Sequence, residues 1–182
     1  THKNGRESEY YVSSRAKSSD GLKAVTGKNK ADGVVIYAIC KGEPEKVVLI
    51  RQYRYPIGGY VYEFPAGLVE EGEDFNTSAV RELEEETGLT FLPIAADKMY
   101  QEPRFTTVGM TDESCATVYG YAEGMPSILG QEESEEIEIV LADKEEARRI
   151  LKEERVALMC AYMLMRFIHE EDGRHFDFLK EE

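Results

Sequence analysis

Two apolar runs dominate the first third of the chain, GVVIYAIC at residues 33–40 and KVVLIRQY at 46–53, separated by the turn-rich KGEPE. Both are rich in β-branched residues, which predicts two strands joined as a hairpin and lying centrally in a sheet. YPIGG at 55–59 breaks the pattern, and residues 60–64 then alternate as another strand. Asp74 is a good N-cap for a helix reaching Thr87, with Gly88 supplying the left-handed residue that ends it. Ala79, Val80 and Leu83 give that helix an apolar side. Further strands are expected at 98–101, 115–121 and 137–141, followed by helices at 144–154 and 156–169. The last helix is apolar nearly all round, which places it in the core or at a subunit contact, and its methionines read as packing residues. Residues 1–30 read as a separate polar arm with a short strand at 10–12, and residues 31–182 as the domain proper.

Composition narrows the class. A chain of 182 residues fits one core, and 42% apolar content with 10% aromatics excludes wholesale disorder. No stretch approaches the roughly 18 to 20 apolar residues of a membrane-spanning helix. No basic region followed by an apolar run opens the sequence, so a cytoplasmic location is expected. Thirty-six acidic against 22 basic side chains leave a net charge of −14, a field that repels nucleic acid. Cys40, Cys115 and Cys160 are odd in number, widely spaced and set among apolar neighbours, as reduced core thiols would be.

The acid is clustered at 82–86 and 131–138. On the expected helix, Glu82, Glu85 and Glu86 fall at i, i+3 and i+4 and share an arc of about 100°. Like charges at this spacing destabilise a helix unless they are solvated or a cation sits among them. A solvated acidic face and a site for a hard cation are both consistent with the trio alone. Mg²⁺ is the natural occupant, because it prefers oxygen ligands and is commonly shared between carboxylates and substrate phosphates.

The flanking residues separate these readings. Gly67, Glu73, Arg81, Glu82, Leu83, Glu85, Glu86, Gly88 and Leu89 fall at the spacing G-x5-E-x7-R-E-U-x-E-E-x-G-U, where U is aliphatic. This stretch resembles the Nudix box at every defined position. Gly67 and Gly72 permit a tight loop before the helix, and Arg81 can hold a carboxylate such as Glu73 or Glu85. The resemblance implies an α/β fold, the Nudix α/β/α sandwich with a mixed β-sheet, here carrying an N-terminal β-strand extension. It also implies a hydrolase that cleaves a nucleoside diphosphate linked to another group, dependent on Mg²⁺ with Mn²⁺ as an alternative. Glu82 and Glu86 are then the principal metal ligands, Glu85 a ligand or the group that activates water, and the Ala66 carbonyl completes the shell.

Outside the box, RQYRYPIGGYVYEFPAGLVEEGE resembles the ADP-ribose pyrophosphatase group of the family. That likeness implies phosphate contacts from Arg54, with Arg51 nearby, and places Glu63 beside the metals. VGMTDE, ending at Glu113, resembles the loop after the box, with Val108 where the group usually has proline. Glu135, then Glu136, resemble the position of the catalytic base. Relatives stack an aromatic on the nucleotide base from an N-terminal segment, sometimes across a dimer. With no Trp in the chain, Tyr10 or Tyr11 is the substitute, and Arg15 resembles an N-terminal arginine that serves the arm or the substrate. The expected reaction is conversion of ADP-ribose to AMP and ribose 5-phosphate by a homodimer with exchanged N-terminal strands. The alternatives are the same chemistry on a UDP- or GDP-sugar and, from another class, an inactive ligand-sensing regulator. An intact box and the wrong charge for DNA argue against the regulator.

Overall fold

The computed structural model describes residues 3–42, 44–131 and 136–180. In chain order its elements are α1 (Lys23–Thr26), β1 (Gly33–Cys40), β2 (Lys46–Arg54), β3 (Gly59–Glu63), β4 (Ala66–Leu68), α2 (Phe75–Thr87), β5 (Thr90–Pro93), α3 (Lys98–Gln101), β6 (Arg104–Phe105), β7 (Ser114–Glu123), β8 (Ile137–Ala142), α4 (Lys144–Glu153) and α5 (Leu158–Phe167). The strands form one mixed sheet with β1 at its heart. β1 pairs antiparallel with β2 and β4 and parallel with β7 along its whole length. β2 also pairs antiparallel with β3 and β8.

Alternation along β1 divides the core in two. Val35, Tyr37 and Ile39 face a cluster with Ala147 and Ile150 of α4 and Cys160, Leu164 and Phe167 of α5. Val34, Ile36 and Ala38 face the other way, onto Ala79 and Leu83 of α2. A strand covered on both faces needs no polar side, which is why 33–40 reads as an unbroken apolar run. The arrangement is the expected α/β/α sandwich. No helix among the described residues is long and apolar enough to cross a membrane.

Several local expectations change. Residues 98–101 form the short helix α3 instead of a strand, because the Asp97 carboxylate accepts from the Met99 N–H at 2.7 Å and caps it. Tyr10, Tyr11 and Val12 form no strand and are exposed; the arm's β contact is an isolated bridge between Ser13 and Thr111. The final helix begins at Leu158, since Val156 bridges to Tyr62 and the Ala157 N–H donates to the Tyr62 carbonyl. It buries Cys160, Leu164 and Phe167 while Leu158, Tyr162 and Met165 face outward. Strands β4, β5 and β6 are too short to have been expected from pattern. All three cysteines are free, and burial raises each thiol above its ordinary range, Cys115 to about 11.

Candidate active site

The site is assembled where α2 meets β4. Asp74 accepts from the N–H groups of Asn76 and Thr77, Gly88 ends the helix at φ 68°, and Ala79 and Leu83 pin it to the sheet. That anchoring sets the opposite helix face, with Glu82 and Glu85, toward the loop between β3 and α2. Glu86, only 4% exposed, accepts from the Ala66 N–H at 3.2 Å. Gly67 lies against Glu82 so closely that a Cβ there would sit 1.8 Å from the Glu82 Cδ. Gly72, at φ 92°, turns the chain back toward the helix.

Arg81 ties these pieces together. One guanidinium nitrogen donates to Glu82 and Glu85, each at 2.9 Å, and the other to the Leu68 carbonyl at 3.1 Å and Glu73 at 3.2 Å. Burial works against the Arg81 charge, but the hydrogen bonds to Glu73, Glu82 and Glu85 outweigh it and hold its pKa above the ordinary value. Glu73 is held below the usual carboxylate range by the Ser78 hydroxyl and then by Arg81. The planar guanidinium thus orients three carboxylates and the carbonyl at the end of β4.

Beside this cluster opens a cleft of about 570 Å³ lined by Arg15, Arg54, Ala66, Arg81, Glu82, Glu85 and Glu113, among others. Arg54 Nε donates to Glu63 Oε2 at 2.7 Å and Arg15 Nε to Glu113 Oε1 at 2.7 Å. Three arginines converge here in a strongly acidic protein, next to an all-oxygen donor set. The missing side chain at Gly67 lets the Glu82 carboxylate lie against the strand, and an all-oxygen donor set of this kind suits a hard cation. Glu82, Glu85, Glu86 and the Ala66 carbonyl are the residues available to hold it.

Other expected site residues lie elsewhere. Arg51 does not line the cleft; it pairs with Glu138 at 2.8 Å and stacks on the Tyr60 ring at 4.2 Å. Glu136 accepts from the Tyr60 hydroxyl, apart from the cleft lining. Tyr11 is 85% exposed and contacts Glu9, while Tyr10 donates to the Gly109 carbonyl at 2.6 Å. Glu135 lies outside the described residues. Glu70 and Cys115, which also line the cleft, were not anticipated; no motif marks them, and only the pairing of β4, β1 and β7 brings them there.

The NUDIX domain family model matches residues 29–160. The chain is 32% identical over 139 residues to an ADP-ribose pyrophosphatase of Saccharomyces cerevisiae, covering 74% of this chain and 57% of that protein. It is 46% identical over 70 residues to an ADP-sugar pyrophosphatase of Mus musculus, covering 37% of this chain and 32% of the relative. An ADP-ribose pyrophosphatase of Bacillus subtilis is 32% identical over 116 residues, 61% of this chain and 58% of that one. The chain thus spans less than two thirds of the length of each of these relatives. The domain match covers most of the sequence and includes the whole carboxylate cluster, and the chain belongs to the Nudix family.

Proposed function

We propose that the protein is a Mg²⁺-dependent pyrophosphohydrolase that splits ADP-ribose into AMP and ribose 5-phosphate. The observation that carries this reading is the placement of Glu82 and Glu85 on the cleft wall with Arg15 and Arg54, Glu82 packed against Gly67 and the buried Glu86 held on the adjoining Ala66 N–H. Glu82 and Glu86, with the Ala66 carbonyl, are the residues that would hold the metal. When bound, the ion neutralises phosphate charge and makes a water more acidic near neutral pH. Arg54 and Arg15 present their guanidiniums to the diphosphate oxygens, kept in position by Glu63 and Glu113. Glu85, whose side chain is half exposed at the cleft, takes the proton from the attacking water. Water adds to one phosphorus, and the bond to the bridging oxygen breaks.

The names of the yeast and Bacillus relatives support the ADP-ribose assignment. The second reading is hydrolysis of another nucleoside diphosphate sugar, since the described residues lining the cleft include no aromatic ring placed to select adenine over another base. Exposed Tyr11 supports a homodimer in which the partner's arm completes the base site. The free thiols support a reducing, cytoplasmic location. Product analysis over ADP-ribose, UDP-glucose, GDP-mannose and NADH with Mg²⁺ or Mn²⁺ tests the assignment. Preferred release of AMP and ribose 5-phosphate is expected; faster turnover of a UDP- or GDP-sugar would replace it.

A further inference from the structure

Outside the cleft, His175 occupies an unusual position. Its side chain is 1% exposed and its ring stacks on Phe167 at 5.0 Å. Nε2 lies 3.1 Å from Glu45 Oε2, and Nδ1 lies 3.4 Å from Glu170 Oε2. Among the described residues, neither ring nitrogen completes a hydrogen bond, and neither does the buried Glu170 Oε2. Leaving several polar atoms of one cluster unsatisfied is costly unless something else binds them.

Asp172 completes the group: its Oδ1 is 4.0 Å from His175 Nε2, and ligand atoms of Glu45, Asp172 and His175 lie within 4.8 Å of one another. Asp172 pairs with Lys144 and Glu170 with Arg166 through its other oxygen, each at 2.5 Å, and Glu45 Oε2 also accepts from the Gly173 N–H at 2.6 Å. Two tetrahedral ligands on one Zn²⁺ ion, each about 2.0–2.1 Å from it, sit roughly 3.3 Å apart; Nε2 and Glu45 Oε2 at 3.1 Å fit that spacing, and the half-exposed Asp172, at 4.0 Å from Nε2, has to close in by under about 1 Å. A carboxylate facing the other ring nitrogen, as Glu170 does here, is the usual device for orienting a metal-bound histidine.

The geometry points to a second metal site, in which Glu45, Asp172 and His175 bind a divalent transition-metal ion of the zinc class and Glu170 orients the imidazole. Mg²⁺ is excluded by ligand preference, because it takes oxygen donors and the site offers a nitrogen. The ion joins the start of β2 to the segment after α5. It thereby fastens Phe176 and Leu179, which pack into the α4/α5 side of the core. The role is structural and independent of the reaction assigned to the cleft.

The test titrates metal-stripped full-length protein with Zn²⁺ by calorimetry while Mg²⁺ is saturating, and repeats the titration with Co²⁺ read by its visible absorption. One Zn²⁺ per chain is expected, resistant to excess Mg²⁺, with a rise in Tm of roughly 5 °C at high saturation. Asp172→Asn and Glu45→Gln should each weaken Zn²⁺ binding at least tenfold and abolish the Tm rise, leaving Mg²⁺-dependent hydrolysis unchanged. His175→Gln is the direct variant; Asp172→Asn keeps the test decisive if that one fails to fold, since Asp172 is half exposed. Absence of Mg²⁺-resistant Zn²⁺ uptake, or uptake and Tm rise identical in Asp172→Asn, Glu45→Gln and the parent, overturns the site.

Discussion

Gly67 and Glu82 meet at a distance that only glycine allows, a Cβ at 67 falling 1.8 Å from the Glu82 Cδ. The contact makes the loop and α2 a single unit: the carboxylate occupies the volume in which a side chain would stand. Gly67→Ala should therefore displace Glu82 while leaving both cores untouched. A shift of about 1 Å in a positioned group costs on the order of 100-fold in rate. We expect that loss in kcat with an unchanged far-ultraviolet circular dichroism spectrum; a variant within threefold of the parent would show that Glu82 has no positional role.

Neighbouring glutamates on α2 should separate sharply by face. Glu86 is buried against the Ala66 N–H, whereas Glu84 points to solvent. Glu86→Gln retains an acceptor for Ala66 but loses the charge. On the proposed metal-holding role of Glu82 and Glu86, where even outer-shell partners of ligands cost about 10–100-fold when removed, Glu86→Gln and Glu82→Gln should exceed 100-fold. Glu84→Gln should be silent. Steady-state rates alongside Mg²⁺ titration calorimetry check the contrast.

For the arginines, the expected signature is a change in KM. Arg54 is held by Glu63 at 2.7 Å at the cleft edge, while Arg51 is engaged by Glu138 and Tyr60. A hydrogen bond to a charged group is worth about 1.5–3 kcal/mol, so Arg54→Ala should raise KM by roughly 10- to 100-fold. Arg51→Ala should leave KM near the parent value. The opposite order would move the phosphate site from Arg54 to Arg51, beside Glu138 and Tyr60.

Asp74 predicts a pH dependence of stability. The Thr77 hydroxyl and then the Asn76 N–H hold its carboxyl below the ordinary aspartate value. Because the folded pKa is depressed, the stabilisation is fully present above the unfolded value, near 4, and is lost as pH falls through the folded one. Asp74→Ala should cost about 1 kcal/mol at neutral pH. The difference in Tm between parent and variant should shrink toward zero below pH 3, whereas Asp74→Asn, which caps without titrating, should keep its Tm offset from Asp74→Ala at all pH values.

Legibility from sequence followed the length and redundancy of each signal. The helix over 75–87 carries a cap, an apolar stripe and a terminating glycine, all of which agree, and its bounds come out as expected. Residues 98–101 offered only four positions, too few to distinguish period 2 from period 3.6, and a side-chain cap from Asp97 decided for a helix. Tyr11 had the composition of a stacking residue, but nothing within residues 3–30 holds it against the cleft.

The sequence by itself determined the carboxylate-bearing helix and the box that marks the family, because those depend on periodicity and on residues closely spaced along the chain, and the mixed sheet followed only from the family resemblance. Tertiary structure decided which distant residues share a surface. Arg15 reaches Glu113 and Arg54 reaches Glu63 because strand pairing and arm docking bring them together. His175 meets Glu45 across 130 positions of sequence because the chain after α5 folds back on the start of β2. Such contacts leave no periodic trace, since long-range packing is set by the sum of many small burials and not by any local pattern.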